Sequence, residues 1–99
     1  MKVKYFTENE LSTEFLVEMT HENDLNCMVI GKSKSYPECS SIQDLDIIVV
    51  NGMLSLSLDG QVSSNYTAGS LIFIPAKSRI RMSNLQENEL EIIMASVNN

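Results

Sequence analysis

The chain's positive charge rests on seven residues: Lys2, Lys4, Lys32, Lys34, Lys77, Arg79 and Arg81. Each group is spaced by two, and in a strand residues i and i+2 share a face. Lys77, Arg79 and Arg81 are therefore expected as a basic row along one strand after Pro75. Such a row suits an anion, because guanidinium presents a planar fork to phosphate oxygens. A structural role competes with this and is preferred. Glu87, Glu89 and Glu91 follow at the same spacing. A turn near residue 86 would set Arg81 opposite Glu89 or Glu91, and cross-strand pairs of this kind fix register. Lysines on edge strands also discourage aggregation.

The other reactive side chains are few. Cys39 stands in the loop-like run Tyr36-Pro37-Glu38-Cys39-Ser40-Ser41. A nucleophilic thiol needs a base beside it, and none is indicated, so Cys39 reads as a small apolar side chain. Cys27 lies in an apolar strand and reads as core. A transition-metal centre needs imidazole and carboxylate ligands brought together. The single histidine, His21, falls in a polar turn, and its spacing from Glu38 and Cys39 marks no ligand set. No metal and no cofactor are expected.

The elements that must hold these residues are strands. Met53–Leu58 alternates leucine with serine, the mark of a half-buried strand. Asp59-Gly60 follows as a two-residue hairpin turn, which needs positive φ at both centres. A partner strand is expected over 61–66, a turn at Ala68-Gly69, and a buried strand over 70–74. Pro75-Ala76 ends it, since proline cannot donate to a central ladder. Strands are also expected over 78–83, 89–97, 25–30 and, at an edge, 2–6. Thr7 and Glu10 fit a capping box. Residues 14–20 fit a helical stripe through Leu11, Phe15 and Met19, or a strand through Phe15, Val17 and Met19; the strand is preferred. Residues 21–24 read as a turn and 37–43 as a loop. The run Ile47 to Val50 is apolar throughout, which predicts a strand buried on both faces. Its outward side, at Ile48, is expected to join two copies of the chain.

Length and charge narrow the setting. Ninety-nine residues make one domain, with residues 1–24 as an N-terminal extension packing on the rest. Apolar residues at 43% place the chain among globular proteins. A net charge of −6 opposes nucleic-acid binding, which is driven by basic contacts to phosphate. The N-terminal residues show no apolar signal core, and no run approaches the length of a membrane span. Two cysteines make no disulfide framework. A reduced, cytoplasmic homodimer is expected, without nucleic-acid or membrane partners.

Gly69, Pro75 and Asn84 stand at the spacing of the second cupin motif, G-x5-P-x-G-x2-H-x3-N. The chain thus resembles a small single-domain cupin. The motif's second glycine is Lys77 here, and its metal-binding histidine is Ile80. The first motif, which should end near Gly52, has Glu38, Cys39, Ser40, Ser41 and Leu45 where its ligands belong. The resemblance implies an all-β, cupin-like jelly-roll barrel of eight or nine strands that lacks the family's metal. It also implies an inward Ile80 and Met82, and an outward Arg79 and Arg81. A weaker resemblance is to the cupin-type pyrimidine/purine nucleoside phosphorylases. It rests on Tyr5-Phe6, Met28-Val29-Ile30-Gly31, Val49 to Leu54 and Ala68 to Ser78.

Three functions follow as expectations. The first is a metal-independent cupin that binds a small polar molecule, nucleoside- or nucleotide-like, inside the barrel. Leu45, Ile47, Ile80 and Met82 would line the interior, with Tyr36, Glu38, Cys39 and Ser41 at its rim. Small barrels do hold single ligands. The second is nucleoside phosphorolysis, with phosphate on the basic row and the base stacked on Tyr36 or Tyr66. No catalytic residue is assigned for it. The third is a structural or regulatory dimer without a ligand.

Overall fold

Side chains that alternate between two environments force a chain into layered strands, and nine form among the described residues. The computed structural model describes residues 2–5 and 24–96. In chain order the strands are β1 (Lys2–Tyr5), β2 (Asp24–Ile30), β3 (Ser35–Cys39), β4 (Leu45–Asn51), β5 (Met53–Leu58), β6 (Ser64–Thr67), β7 (Ser70–Ile74), β8 (Ile80–Ser83) and β9 (Leu90–Ser96). They make a five-stranded sheet, β1-β7-β4-β9-β2, and a four-stranded sheet, β3-β8-β5-β6. Each described strand pair is antiparallel. Two such sheets with chain crossing between them make a double-sheet jelly roll.

The inner faces meet in one core. Leu45, Ile47 and Val49 of β4 pack with Ile72 and Ile74 of β7 and with Leu90 and Ile92 of β9. Leu54, Leu56, Tyr66, Ile80 and Met82 close on them from the smaller sheet. Burying each of these large apolar side chains stabilises by roughly 1.5–3 kcal/mol against exposure.

Several expected elements take a different form. The run 37–43 does not stay a loop: Ser35–Cys39 is an edge strand of the smaller sheet. Its register against β8 shifts between Tyr36 and Cys39, where Pro37 lies and cannot donate to the ladder. Asp59 and Gly60 do have positive φ, 52° and 75°, and Gln61 N–H donates to the Leu58 carbonyl at 2.9 Å. The β5–β6 ladder, however, stops at Leu56 and Ser64. Leu58 pairs instead with Ile80 of β8, so the turn belongs to a wide loop and β6 starts only at Ser64. The edge strand at the N-terminus ends at Tyr5 and pairs with β7. The expected capping box at Thr7, the strand over 14–20 and the turn at His21 lie outside the described residues.

Ile48 is not the exposed outward side expected of it. Ile48 points away from the core cluster yet is 0% exposed in a single chain, and its register partner Ile93 is buried too. A monomer therefore does not expose Ile48, and its apolar character does not call for a second copy.

Candidate functional site

Three loops gather at one end of the barrel: 40–44, 59–63 and 75–79. Each leaves or enters a strand at the level of Leu45, Leu58 and Ile74. They are tied to one another mostly through backbone groups. Lys77 N–H donates to the Ser41 carbonyl at 2.7 Å and Asp59 N–H to the Arg79 carbonyl at 2.8 Å. Ala76 N–H donates to Asp44 Oδ1 and Arg79 N–H to Asp59 Oδ1, both at 2.8 Å. Lys77 takes a φ of 69°, the left-handed region that disfavours a side chain. It stands at the motif's second glycine, so the motif carried the signal of this turn although the residue type did not.

A hollow of about 270 Å³ remains between the 59–63 and 75–79 loops and the smaller sheet. Leu56, Leu58, Val62, Tyr66 and Pro75 line it with carbon. Asp59, Gln61, Ser64 and Ser78 supply polar groups around it. Deeper toward the middle, Ile47, Ile72, Ile74 and Ile80 fill the barrel with their own carbon. The expected interior residues Leu45, Ile47, Ile80 and Met82 are core packing at 0–6% exposure. Their burial confirms the inward register of Ile80 and Met82.

The expected rim residues separate. Tyr36 and Glu38 line a different space, a trough of about 540 Å³ on the smaller sheet with Ser57, Gln61 and Arg81. Cys39 packs against the core. Its thiol is pushed up by burial and then by the Glu38 charge. This reduces the thiolate at neutral pH, the reverse of what an attacking cysteine needs. Ser41 is engaged with its backbone in the loop ties, and its hydroxyl accepts from Gln43 N–H at 3.1 Å.

The basic row does not form. β8 starts at Ile80, so Lys77 and Arg79 precede the strand and only Arg81 lies on it. Nor do the Arg81–Glu89 and Arg81–Glu91 pairs form. β8 and β9 belong to opposite sheets, and Arg81 stands opposite Ser57 while Glu91 stands opposite Val29 and Asn51. The 84–89 connection carries the chain between sheets rather than folding a hairpin. The described ion pair joins Lys32 to Glu87 at 3.4 Å, both exposed.

The positions that would carry a cupin metal do not fit one. Ile80 and Leu45 offer only carbon, and among the described residues no three His, Cys, Asp or Glu side chains come together. The remaining motif residue, Asn84, has a structural role that spacing alone did not reveal. It is 0% exposed. Its Nδ2 donates to the carbonyls of Asn88, Ile30 and Gly31 at 2.7, 3.0 and 3.2 Å. Its Oδ1 accepts from Gln86 N–H at 3.1 Å, and its backbone N–H donates to the Lys34 carbonyl at 2.9 Å. Asn84 plugs the barrel end opposite the hollow.

No family model matches the chain. It is 25% identical over 81 residues to the uncharacterised protein MJ0764 of Methanocaldococcus jannaschii, covering 82% of this chain and 69% of that protein. The crystal structure of MJ0764, an RmlC-like cupin family protein with a double-stranded β-helix fold, superposes with a TM-score of 0.70 at 22% identity, over 74% of this chain and 67% of that one. A Cupin 2 conserved barrel domain protein of Salinispora arenicola superposes with a TM-score of 0.71 at 14% identity, over 98% and 75%. CENP-C of Drosophila melanogaster, crystallised bound to CAL1, superposes with a TM-score of 0.67 at 16% identity, over 74% and 63%. The chain has the cupin fold.

Proposed function

We propose that this cupin-fold chain is a metal-independent module that binds a small polar molecule at the loop-bounded end of its barrel. The hollow behind the 59–63 and 75–79 loops carries this reading. It joins apolar walls to a few polar groups at one end, the usual build of a small-molecule site. Its size, about 270 Å³, sets the ligand at the scale of a nucleoside or smaller. Tyr66 offers a ring to a planar group, and Asp59, Gln61 and Ser64 offer polar contacts to a hydroxylated one. Ile80 and Leu45, standing where metal ligands would be, support binding without a metal. Residues 1–24 belong, on this proposal, to the same domain, with Lys2–Tyr5 a strand of the larger sheet itself and the segment after it packing on the barrel. The covered outer face around Ile48 and Ile93 supports that.

Thermal shift with inosine and uridine tests the site, because a ligand that binds only the folded state raises its midpoint. The expected result is a concentration-dependent rise with saturable amide shifts at Leu56, Leu58 and Tyr66. Ser64→Trp should remove both by filling the hollow. No rise with either nucleoside, or shifts confined to other surfaces, would end the proposal.

A further inference from the structure

We infer that the outer face of the four-stranded sheet holds a second site, which takes a small polyhydroxylated molecule carrying one anionic group. Four hundred to six hundred cubic ångströms is within the ordinary range of ligand sites, and the trough here holds about 540 Å³. It is built on side chains that alternate away from the core. Arg81 stands opposite Ser57 across the β8–β5 ladder, and Ser83 stands opposite Ser35 across β8–β3. The floor is fixed: Ser57 is 8% exposed, and its Oγ donates to the Gln61 carbonyl at 2.6 Å. That bond holds the 60–63 loop against the sheet as one wall. On the floor, Ser35 and Ser83 share a hydrogen bond at 3.0 Å.

The charge in the trough is arranged for an anion at one point only. Arg81 is exposed and makes no ion pair with any described carboxylate, although acidic residues outnumber basic ones thirteen to seven. Glu38 lines the same trough without pairing with it. A guanidinium left free of carboxylates presents its donors to a phosphate or carboxylate. Glu38 would repel a second anion and accept from a ligand hydroxyl. Ser63 and the Gln61 side chain extend the hydroxyl-matching surface along the wall. Tyr36, Pro37 and Met82 add carbon among these polar groups, which suits the face of a sugar ring, whereas a bare anion uses only Arg81. The chemistry that uses the whole trough is a sugar-like polyol with one charged head.

Glucose 6-phosphate, glucose and inorganic phosphate are the probes, titrated into the full chain by NMR. Glucose 6-phosphate should give saturable amide shifts at Ser57, Arg81 and Ser83 in the millimolar range or below. It should bind at least about tenfold more tightly than either fragment. Arg81→Gln should weaken it about ten- to a hundredfold, the scale of a lost hydrogen bond to a charged group. Ser63→Asp should abolish binding by setting a negative charge on the wall while leaving Arg81 in place. Both residues are exposed, so the melting midpoint should stay within a degree or two of the parent. Phosphate binding as well as the hexose phosphate, an Arg81→Gln protein that binds unchanged, or no saturable shift at all would each overturn the inference. Shifts at Leu56, Leu58 and Tyr66 report the hollow beside the 59–63 and 75–79 loops, so either site can fail without the other.

Discussion

At one end of the barrel a single buried amide gathers the chain; at the other, three loops are tied to one another. Asn84 ties together backbone from 30–31, 34, 86 and 88, and Gly52 lies so close to Glu89 and Leu90 that a Cβ there would crowd their backbone. The loop-bounded end relies on Asp44 and Asp59 and on two backbone bonds, and a hollow is left inside it. One end is packed for stability. The other trades packing for space and for a strained Lys77. The same core thus supports one end closed by a buried amide and another bounded by loops, and loops placed on a fixed scaffold are where a binding site would be expected.

The sharpest way to break this contrast is at the plug. Asn84→Ala removes the donor of three carbonyls and the acceptor of one N–H, all in a buried setting. Each buried group left unpaired costs about 1–3 kcal/mol, so a loss of about 3 kcal/mol or more is expected in urea unfolding. A loss below about 1 kcal/mol would mean that water replaces the amide and that this end is no firmer than the other.

A matched pair of glycines sharpens the comparison next. Gly52 and Gly60 both have positive φ, 93° and 75°. A Cβ on Gly52 would lie 3.0 Å from the Glu89 carbonyl oxygen and 3.1 Å from Leu90 Cα, whereas one on Gly60 meets nothing within 4 Å. Left-handed backbone costs a residue with a side chain about 1–2 kcal/mol. Gly60→Ala should show about that. Gly52→Ala should lose about 1–2 kcal/mol more, because backbone must also move. Equal losses would remove the distinction in packing.

How much of this was legible depended on whether a side chain's surroundings were local. The leucine–serine alternation of β5 and the positive φ at Asp59-Gly60 are local signals that appear in the structure, but Ser55 and Ser57 are buried as well, so the strand is not half-buried, and the turn opens into a loop wider than a two-residue hairpin. Strand β3 was missed because all but the last of its five residues are exposed, so it carries no apolar period. The partner of Arg81 was misread because consecutive strands β8 and β9 lie in opposite sheets, and no spacing within the chain records that. The motif glycine–proline–asparagine spacing located the fold. It said nothing of Asn84 as a plug, since that role depends on carbonyls more than fifty residues away in Ile30 and Gly31. Of the hollow, Tyr66 alone was suspected; Leu56 and Leu58 looked like any core-facing leucines.

The smallest expected effect lies in pH. Asp46 follows the loop that carries Asp44, on the outer side of β4. Its carboxyl is pushed up by burial and then by the Asp44 charge. The folded state therefore keeps this proton to higher pH than the unfolded chain, whose aspartates titrate near about 3.9. The resulting stability is present below that value and is lost as pH rises through the folded value. Asp46→Asn removes the loss. Its urea midpoint should exceed the parent's at pH 7 and converge with it at acid pH. A parent whose stability rises more steeply with pH than the variant's would reverse the sign.

The placement of β9 bears on how the molecule comes to exist at all. The strand lies between β4 and β2, joining Leu45–Asn51 to Asp24–Ile30 across long stretches of chain. Until residues 90–96 arrive, the larger sheet is two fragments with open edges, each a template for a neighbouring molecule. Assembly must therefore wait for the last strand, and loop closure over such separations makes that step slow. A chain cut after Asn88 would not be a slightly smaller barrel. Its larger sheet would be a three-stranded ribbon and a lone strand, and its fate would be decided by concentration.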